Sequence, residues 1–280
     1  MAGIVTPGSK KDKRKRPRKA RPVKPSRKIQ LAIRKEIYTS LEDIALDIEG
    51  IQEWLAGEAT PAQAMRVMQD LTEKWRKIYG ARAERVAKDW VAAINANSKA
   101  QFEKSIARAL GVDYTTIFED ELVYNAAEFA VLEASNLIKT IPEEYFGKVQ
   151  EAVMQNFQQL PLPEGRTLIE QIRHIYGVSQ SRATVIARDQ TSKINTALTQ
   201  ARNEEVGISE YIWRTAGDVR VVGTPGGLYP KGNRIHGNHY KRNGQVFRWD
   251  SPPEDGHPGF AINCRCVAES KIDIEALKFV

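Results

Sequence analysis

Cysteine is nearly missing from this chain: two in 280 residues, both in Asn263-Cys264-Arg265-Cys266. A disulfide spanning a single residue is strained, so no covalent staple is expected and a reducing compartment is the simpler setting. Histidine is almost as scarce, and three of the four, His236, His239 and His257, fall within the 30 residues before Cys266. No run of about 18 apolar residues exists, which excludes an ordinary membrane-spanning helix. No apolar segment follows the N-terminal charges, so no secretory leader is expected. There is no Walker loop, no His-Glu-x-x-His and no Gly-x-Ser-x-Gly, and no repeat of 20–50 residues that would signal a solenoid.

Acid is what the N-terminus lacks. Residues 1–35 carry 14 Lys or Arg against one acid, Asp12, a local charge of +13 in a chain of net +7. The remainder is therefore a mildly acidic body of −6 wearing a basic arm. Residues 1–27 contain Pro7, Pro17, Pro22 and Pro25 and almost no large apolar side chain. Such a segment cannot bury enough surface to offset its ordering entropy, and it reads as a disordered basic arm. Lys10, Lys11, Lys13, Arg14, Lys15, Arg16, Arg18, Lys19 and Arg21 make it a candidate polyanion contact, driven by counterion release with little sequence preference. A solubilising or localising tail is the plainer alternative.

Residues 28–160 read as a helical domain. Ile29, Ile33, Ile37, Leu41, Ile44, Ile48 and Leu55 keep the three-to-four spacing of an amphipathic helix that stops near Gly57. Thr60-Pro61 supplies an N-cap and a first-turn proline for helical text running to Leu110, with Gly80 and residues 95–99 as breaks. Further helices are expected over 117–138, then from Pro142 to about Gln159. Pro161-Leu162-Pro163-Glu164-Gly165 is the clearest linker. Beyond it a short helix (167–176, ending at Gly177) and a longer one (179–205) are expected. Past Gly207 the text becomes strand-like at 211–213, 219–222 and 246–249, among many Gly and Pro. The expectation is a mainly α fold: a long-helix N-terminal body plus a small, loop-rich α+β module over 161–280.

A module with so many turns has little core and needs a staple, and a metal is one way to supply it. His239, His257, Cys264 and Cys266 make a tetrahedral zinc set of two imidazoles and two thiolates. The same residues also fit as a hydrogen-bonding loop histidine, a histidine stacked beside Pro258, and small hydrophobes in a reduced core. Asp218 and Arg220, near Trp213, read as a buried ion pair that orients a strand-to-loop turn. His236-Gly237-Asn238-His239 hints at a metal-dependent nuclease, although no helix follows for twenty residues to frame such a site.

Ile186-Ala187-Arg188-Asp189-Gln190-Thr191-Ser192-Lys193, then Gly207-Ile208 and Tyr211-Ile212-Trp213-Arg214-Thr215-Ala216-Gly217-Asp218-Val219-Arg220-Val221, resemble the phage head morphogenesis family, that of the phage Mu F protein and the SPP1-type minor head protein. His239, Asn243-Gly244-Gln245-Val246-Phe247, Trp249-Asp250-Ser251-Pro252-Pro253, Gly256-His257-Pro258-Gly259 and Asn263-Cys264-Arg265-Cys266 continue the resemblance in order, over about residues 165–270. An insertion over 223–235 departs from the family pattern, and the spacing to Gly244 points to His239 rather than His236 as the family position.

The resemblance implies a structural virion protein rather than an enzyme: a minor capsid protein inside the head at the portal vertex, made in the host cytoplasm. Its implied partners are the portal protein, a major capsid or scaffolding protein and double-stranded phage DNA, with no membrane, and its implied roles are head assembly and genome delivery. A metal-dependent nuclease or toxin-like effector built on the His/Cys module is the alternative.

Overall fold

Two reciprocal capping boxes set the helical frame. In the computed structural model, which describes residues 19–111, 121–232 and 237–273, the Thr60 N–H donates to Gln63 Oε1 at 2.9 Å and the Gln63 N–H returns to Thr60 Oγ1. The same exchange links Thr167 and Glu170. Each box satisfies orphan N–H groups at a helix start. The helices are α1 (Arg27–Glu49), α2 (Gln52–Gly57), α3 (Pro61–Leu110), α4 (Glu121–Phe157), α5 (Leu168–Glu205) and the single-turn α6 (His239–Arg242). Strands β1 (Glu210–Arg214), β2 (Val246–Arg248) and β3 (Val267–Ser270) form an antiparallel sheet in the order β2-β1-β3. The fold is mainly helical, with a small sheet in its C-terminal region. None of the described helices is long and apolar enough to cross a membrane.

The helices run through several expected breaks. α3 is continuous past Gly80 and 95–99, α4 passes Pro142, and α5 passes Gly177. Pro142 forfeits one backbone bond, but Ile138, Ile141, Tyr145 and Phe146 around it are all buried, and their packing outweighs that loss. Ser179, where a new helix was expected, instead donates its hydroxyl back to the Ile175 carbonyl at 2.9 Å, the mid-helix use of serine.

The described residues group into two compact units. Of the described residues, one compact unit comprises those within 19–29, 91–130 and 188–273; the other comprises Gln30–Trp90 and Val131–Ala187. Because α3, α4 and α5 are unbroken, each contributes to both units.

The second unit is an all-helical body. Ile37, Leu41, Ile44 and Ile48 of α1 are essentially inaccessible, each contributing about 1.5–3 kcal/mol relative to exposure. Polar ties join its helices. Asp47 accepts from Trp75 Nε1 at 2.7 Å, Tyr38 and Thr184 share a 2.6 Å hydroxyl bond, and Arg182 pairs with Glu144 at 2.8 Å.

The first unit contains the sheet and the chemistry. Residues 19–26, expected as part of the free arm, are fixed along α3. The Arg21 N–H and C=O bond the Ser105 hydroxyl at 2.9 and 2.8 Å, the Lys24 N–H and C=O bond the Gln101 amide, and Arg108 Nε donates to the Lys19 carbonyl. Val23 is buried with Phe102, Ile106, Val206 and Ile208. One apolar side chain and a ladder of backbone bonds order this stretch. Residues 10–18 lie outside the described residues.

The expected strand at 219–222 is a set of turns: the Val221 N–H bonds Asp218 O, and the Leu228 N–H bonds Val219 O. The third strand is instead β3, whose residues are all buried and pair with β1 from Tyr211↔Ser270 to Arg214↔Val267.

Candidate metal centre

The Cys-x-Cys enters the site from a turn anchored on α5. Asn263 adopts a left-handed φ of 62°, its N–H donates to both Asp189 carboxylate oxygens at 3.1 Å, and its side chain accepts from Arg188. The Cys264 N–H closes the turn on Ala261 O at 2.9 Å. From there the chain runs extended into β3. Residues i and i+2 of an extended chain share a face, so Cys264 and Cys266 both point inward and are buried, while Arg265 points outward. Arg265 grips Asp218 from both guanidinium nitrogens, with Nη1 at 2.6 Å from Oδ2.

Gly259 makes the closest approach possible. At φ 89°, a Cβ on it would lie 3.3 Å from Ser192 and Thr196 of α5. Its N–H points at Cys264 Sγ, 3.3 Å away, and the carbonyl of the preceding Pro258 accepts from the Thr196 hydroxyl at 2.7 Å.

His239 comes from the other side, as the first residue of α6, capped by Asn238, whose side chain accepts from the Lys241 N–H. Its Nδ1 lies 3.5 Å from Cys264 Sγ and 3.6 Å from Cys266 Sγ. Its Nε2 lies 2.7 Å from Asp255 Oδ2. All three donor atoms fall within 4.8 Å of one another, and this is the one such buried His/Cys group among the described residues. Aromatic rings enclose the group: Trp213 meets His239 edge-on at 5.1 Å, and Tyr211, Trp213 and Trp249 are buried with both cysteines.

The charges are tightly coupled. The Cys266 thiol, together with His239 and the Cys266 backbone N–H, holds the Cys264 thiol well below its ordinary range against the pull of burial. Cys266 is pushed up in turn by the Cys264 sulfur and by burial. Burial works against a charged His239, but Cys264 and Asp255 outweigh it and raise this group. Burial would also raise Asp255, yet His239 and Arg242 hold it below the usual carboxylate range.

Two chemistries use a thiolate, an imidazole and a carboxylate in this order. One is a nucleophile with its base and orienting acid; burial of Cys264 and the N–H on its sulfur argue against that use. The other is metal ligation, and the distances suit it. Bonds of about 2.3 Å to sulfur and 2.0–2.1 Å to nitrogen at tetrahedral angles put N and S about 3.5–3.6 Å apart, which is the spacing found. The residues present can hold a metal ion.

His257, expected as the fourth ligand, stands apart from this group. Its Nδ1 lies 3.0 Å from the Tyr211 hydroxyl, and it packs edge-on against Tyr211, Trp249 and Phe260. It is a satisfied core histidine. His236 lies outside the described residues.

The expected Asp218–Arg220 pair is neither buried nor the main contact. Arg220 reaches Asp218 at 3.4 Å and is largely exposed, because Arg265 occupies both carboxylate oxygens. Of the nine candidate contact residues in the arm, Lys19 and Arg21 are described, with exposed side chains on a bonded backbone.

The residues that sequence reasoning passed over are Asp255, Arg242 and Arg265. Asp255 and Arg242 meet through 12 intervening residues of loop and short strand, a spacing with no local signature. Arg265 had one available signal, its place between two inward residues of an extended stretch.

No family model matches the chain, and no solved structure shows significant similarity to it. An uncharacterized protein of Haemophilus influenzae is 32% identical over 275 residues, covering 94% of this chain and 58% of the relative. The chain thus spans less than two thirds of the length of the relative it matches.

Proposed function

We propose that this chain is a minor head protein of a tailed bacteriophage, acting at the portal vertex inside the capsid, aiding head assembly and genome delivery and touching packaged DNA. One observation carries the reading. Motifs that follow the order of the phage head morphogenesis family, though far apart in sequence, converge on one folded module. Asp189 holds Asn263 across 74 residues, Thr196 holds Pro258 across 62, and Tyr211 holds His257 across 46. This cross-bracing supports treating the resemblance as that of a whole domain rather than of scattered words. The partners are the portal protein, a major capsid or scaffolding protein and double-stranded DNA, and the role is structural rather than enzymatic.

The module is stapled by a structural Zn2+ held by His239, Cys264 and Cys266. A borderline-soft d10 ion suits this imidazole and thiolate set, and when bound it supplies a cross-link between α6 and the 261–266 segment. That contribution matters in a stretch where turns replace core. The exposed Lys19 and Arg21 side chains continue the +13 charge of the N-terminus and bind phosphates through counterion release.

Mass spectrometry of purified particles tests the reading. The chain is expected to co-purify with the portal oligomer, at a copy number well below that of the major capsid protein. Its absence from particles and from portal complexes would overturn it.

One observation favours a metal-dependent nuclease or toxin-like effector instead: three protein donors leave a tetrahedral ion one further position, as catalytic zinc sites do. Metal-dependent cleavage of plasmid DNA, abolished by His239→Ala, would establish that reading. Burial of all three donors favours the staple.

A further inference from the structure

We propose that Asp255, braced by Arg242 and Trp213, is the positioning residue that makes His239 an Nδ1 metal ligand. This inference rests on the metal reading above and concerns the shell of side chains behind the donors.

A neutral imidazole has one N–H and one lone pair, and the partner of one nitrogen decides which atom can bind a cation. Asp255 Oδ2 lies 2.7 Å from Nε2 of His239, with the carboxylate side chain only 3% exposed. An ionised carboxylate can only accept, so Nε2 carries the hydrogen and donates it. The lone pair is left on Nδ1, the atom that faces both sulfurs at 3.5 and 3.6 Å. The opposite tautomer would set a lone pair against the carboxylate and an N–H against the sulfurs.

The carboxylate is itself fixed. Its second oxygen, Oδ1, accepts from Arg242 Nη1 at 2.5 Å. The Arg242 guanidinium lies 5.0 Å over the Trp213 ring, and Trp213 meets His239 edge-on at 5.1 Å. The contacts therefore close a ring, Asp255 to His239 to Trp213 to Arg242 and back to Asp255, drawn from β1, α6 and the 249–264 loop. Each member is restrained from two sides, which is what a preorganised ligand needs.

Charge accounting agrees with the geometry. Asp255 and Arg242 cancel, and two thiolates cancel a divalent cation, so the buried assembly is neutral with the ion in place. The backbone makes room for the brace at Gly237, where a Cβ would come within 2.6 Å of Arg242 Nη2 and 3.1 Å of Asp255 Oδ2.

Full-length protein, loaded with Zn2+ or Co2+ and titrated against a chromophoric chelator, tests this. Asp255→Asn keeps the shape but removes the obligate acceptor, and is expected to weaken Zn2+ affinity about 10- to 100-fold. Arg242→Gln is expected to give a smaller loss in the same direction. Imidazole 15N NMR of the unsubstituted, metal-loaded protein supplies a readout independent of how the variants fold: Nε2 should be protonated and Nδ1 metal-bound. Metal on Nε2, or Asp255→Asn affinity within twofold of the parent, overturns the inference while leaving the metal centre standing. Failure of the parent protein to develop thiolate-to-cobalt bands removes the metal reading, and this inference with it.

Discussion

Arg265 and Asp218 form a two-pronged ion pair across 47 residues, with Nη1 at 2.6 Å from Oδ2. Arg265 is also the middle residue of Cys-x-Cys, so the pair fixes the outward side of the segment whose inward side carries both sulfurs. Arg265 holds the Asp218 carboxyl well below the usual carboxylate range, with help from the Arg220 backbone N–H and charge. A lowered folded-state pKa means that the pair's contribution is complete above the unfolded carboxyl pKa of about 3.9 and is lost as pH falls below it. The side chains are 31% and 37% exposed, so solvent screening limits the contribution to about 1 kcal/mol. Denaturant titrations of the parent and Asp218→Asn should differ by that amount at pH 7, and the difference should shrink as pH falls below about 3.9 towards the lower folded value. An undiminished difference at pH 3 would contradict the assignment.

The donor set makes a stoichiometric prediction. Elemental analysis should find one zinc per chain. Cys264→Ser, Cys266→Ser and His239→Ala should each lose it, and chelation should lower the thermal midpoint of the parent but not of these variants. Equal midpoints for the parent with and without chelator would show that no metal staples the module.

His257 should behave differently from His239. Burial is the larger influence on its ring and pushes its pKa down, against a weaker opposing bond to the Trp249 backbone. The unfolded chain therefore takes up a proton here at a higher pH than the folded one. Stability should fall as pH drops through about 6.5 towards the lower folded value, and hold above it. His257→Ala leaves the Tyr211 hydroxyl without its partner and opens a cavity among Tyr211, Trp249 and Phe260, at a cost of about 2–3 kcal/mol. The variant should keep its zinc and lose the pH dependence. Loss of zinc in a folded His257→Ala protein would return this histidine to the ligand set.

How far the sequence carried depends on whether a signal was local. Thr60-Pro61 signals a helix start locally and caps one, and the apolar stripe from Ile33 to Leu55 is buried as its spacing demands. Pro142 and Gly177 signal breaks because propensity is a local quantity, while the burial that keeps α4 and α5 continuous is tertiary. Val219–Val222 has β-type side chains but no strand beside it; β1 pairs with residues just after the cysteines instead. Cys264, Cys266 and His239 were legible because soft donors are rare in this chain. His257 was rare for the same reason but went to an aromatic wall, and nothing along the chain distinguishes those two fates. Asp255 was invisible because a carboxylate in a loop has no signature until the histidine it faces is placed.

The anchored stretch of the arm can be measured apart from the residues before it. Residues 19–26 are bound along α3 through Ser105, Gln101 and Arg108, whereas Lys10, Lys11, Lys13, Arg14, Lys15, Arg16 and Arg18 precede that anchor. Deleting residues 1–26 should therefore lower the unfolding midpoint by more than deleting 1–18 does. The longer deletion takes Val23 out of the cluster with Phe102 and Ile106 and removes both backbone partners of Ser105. Ser105→Ala alone should cost about 1–3 kcal/mol by stranding the Arg21 N–H and carbonyl. For duplex DNA, each neutralised phosphate contributes about 0.9 to the slope of log affinity against log salt. Removing those seven cations should then flatten the slope by as much as about 6, uniformly across DNA sequences. An unchanged slope after the shorter deletion would move the DNA contact off the arm and onto the folded body.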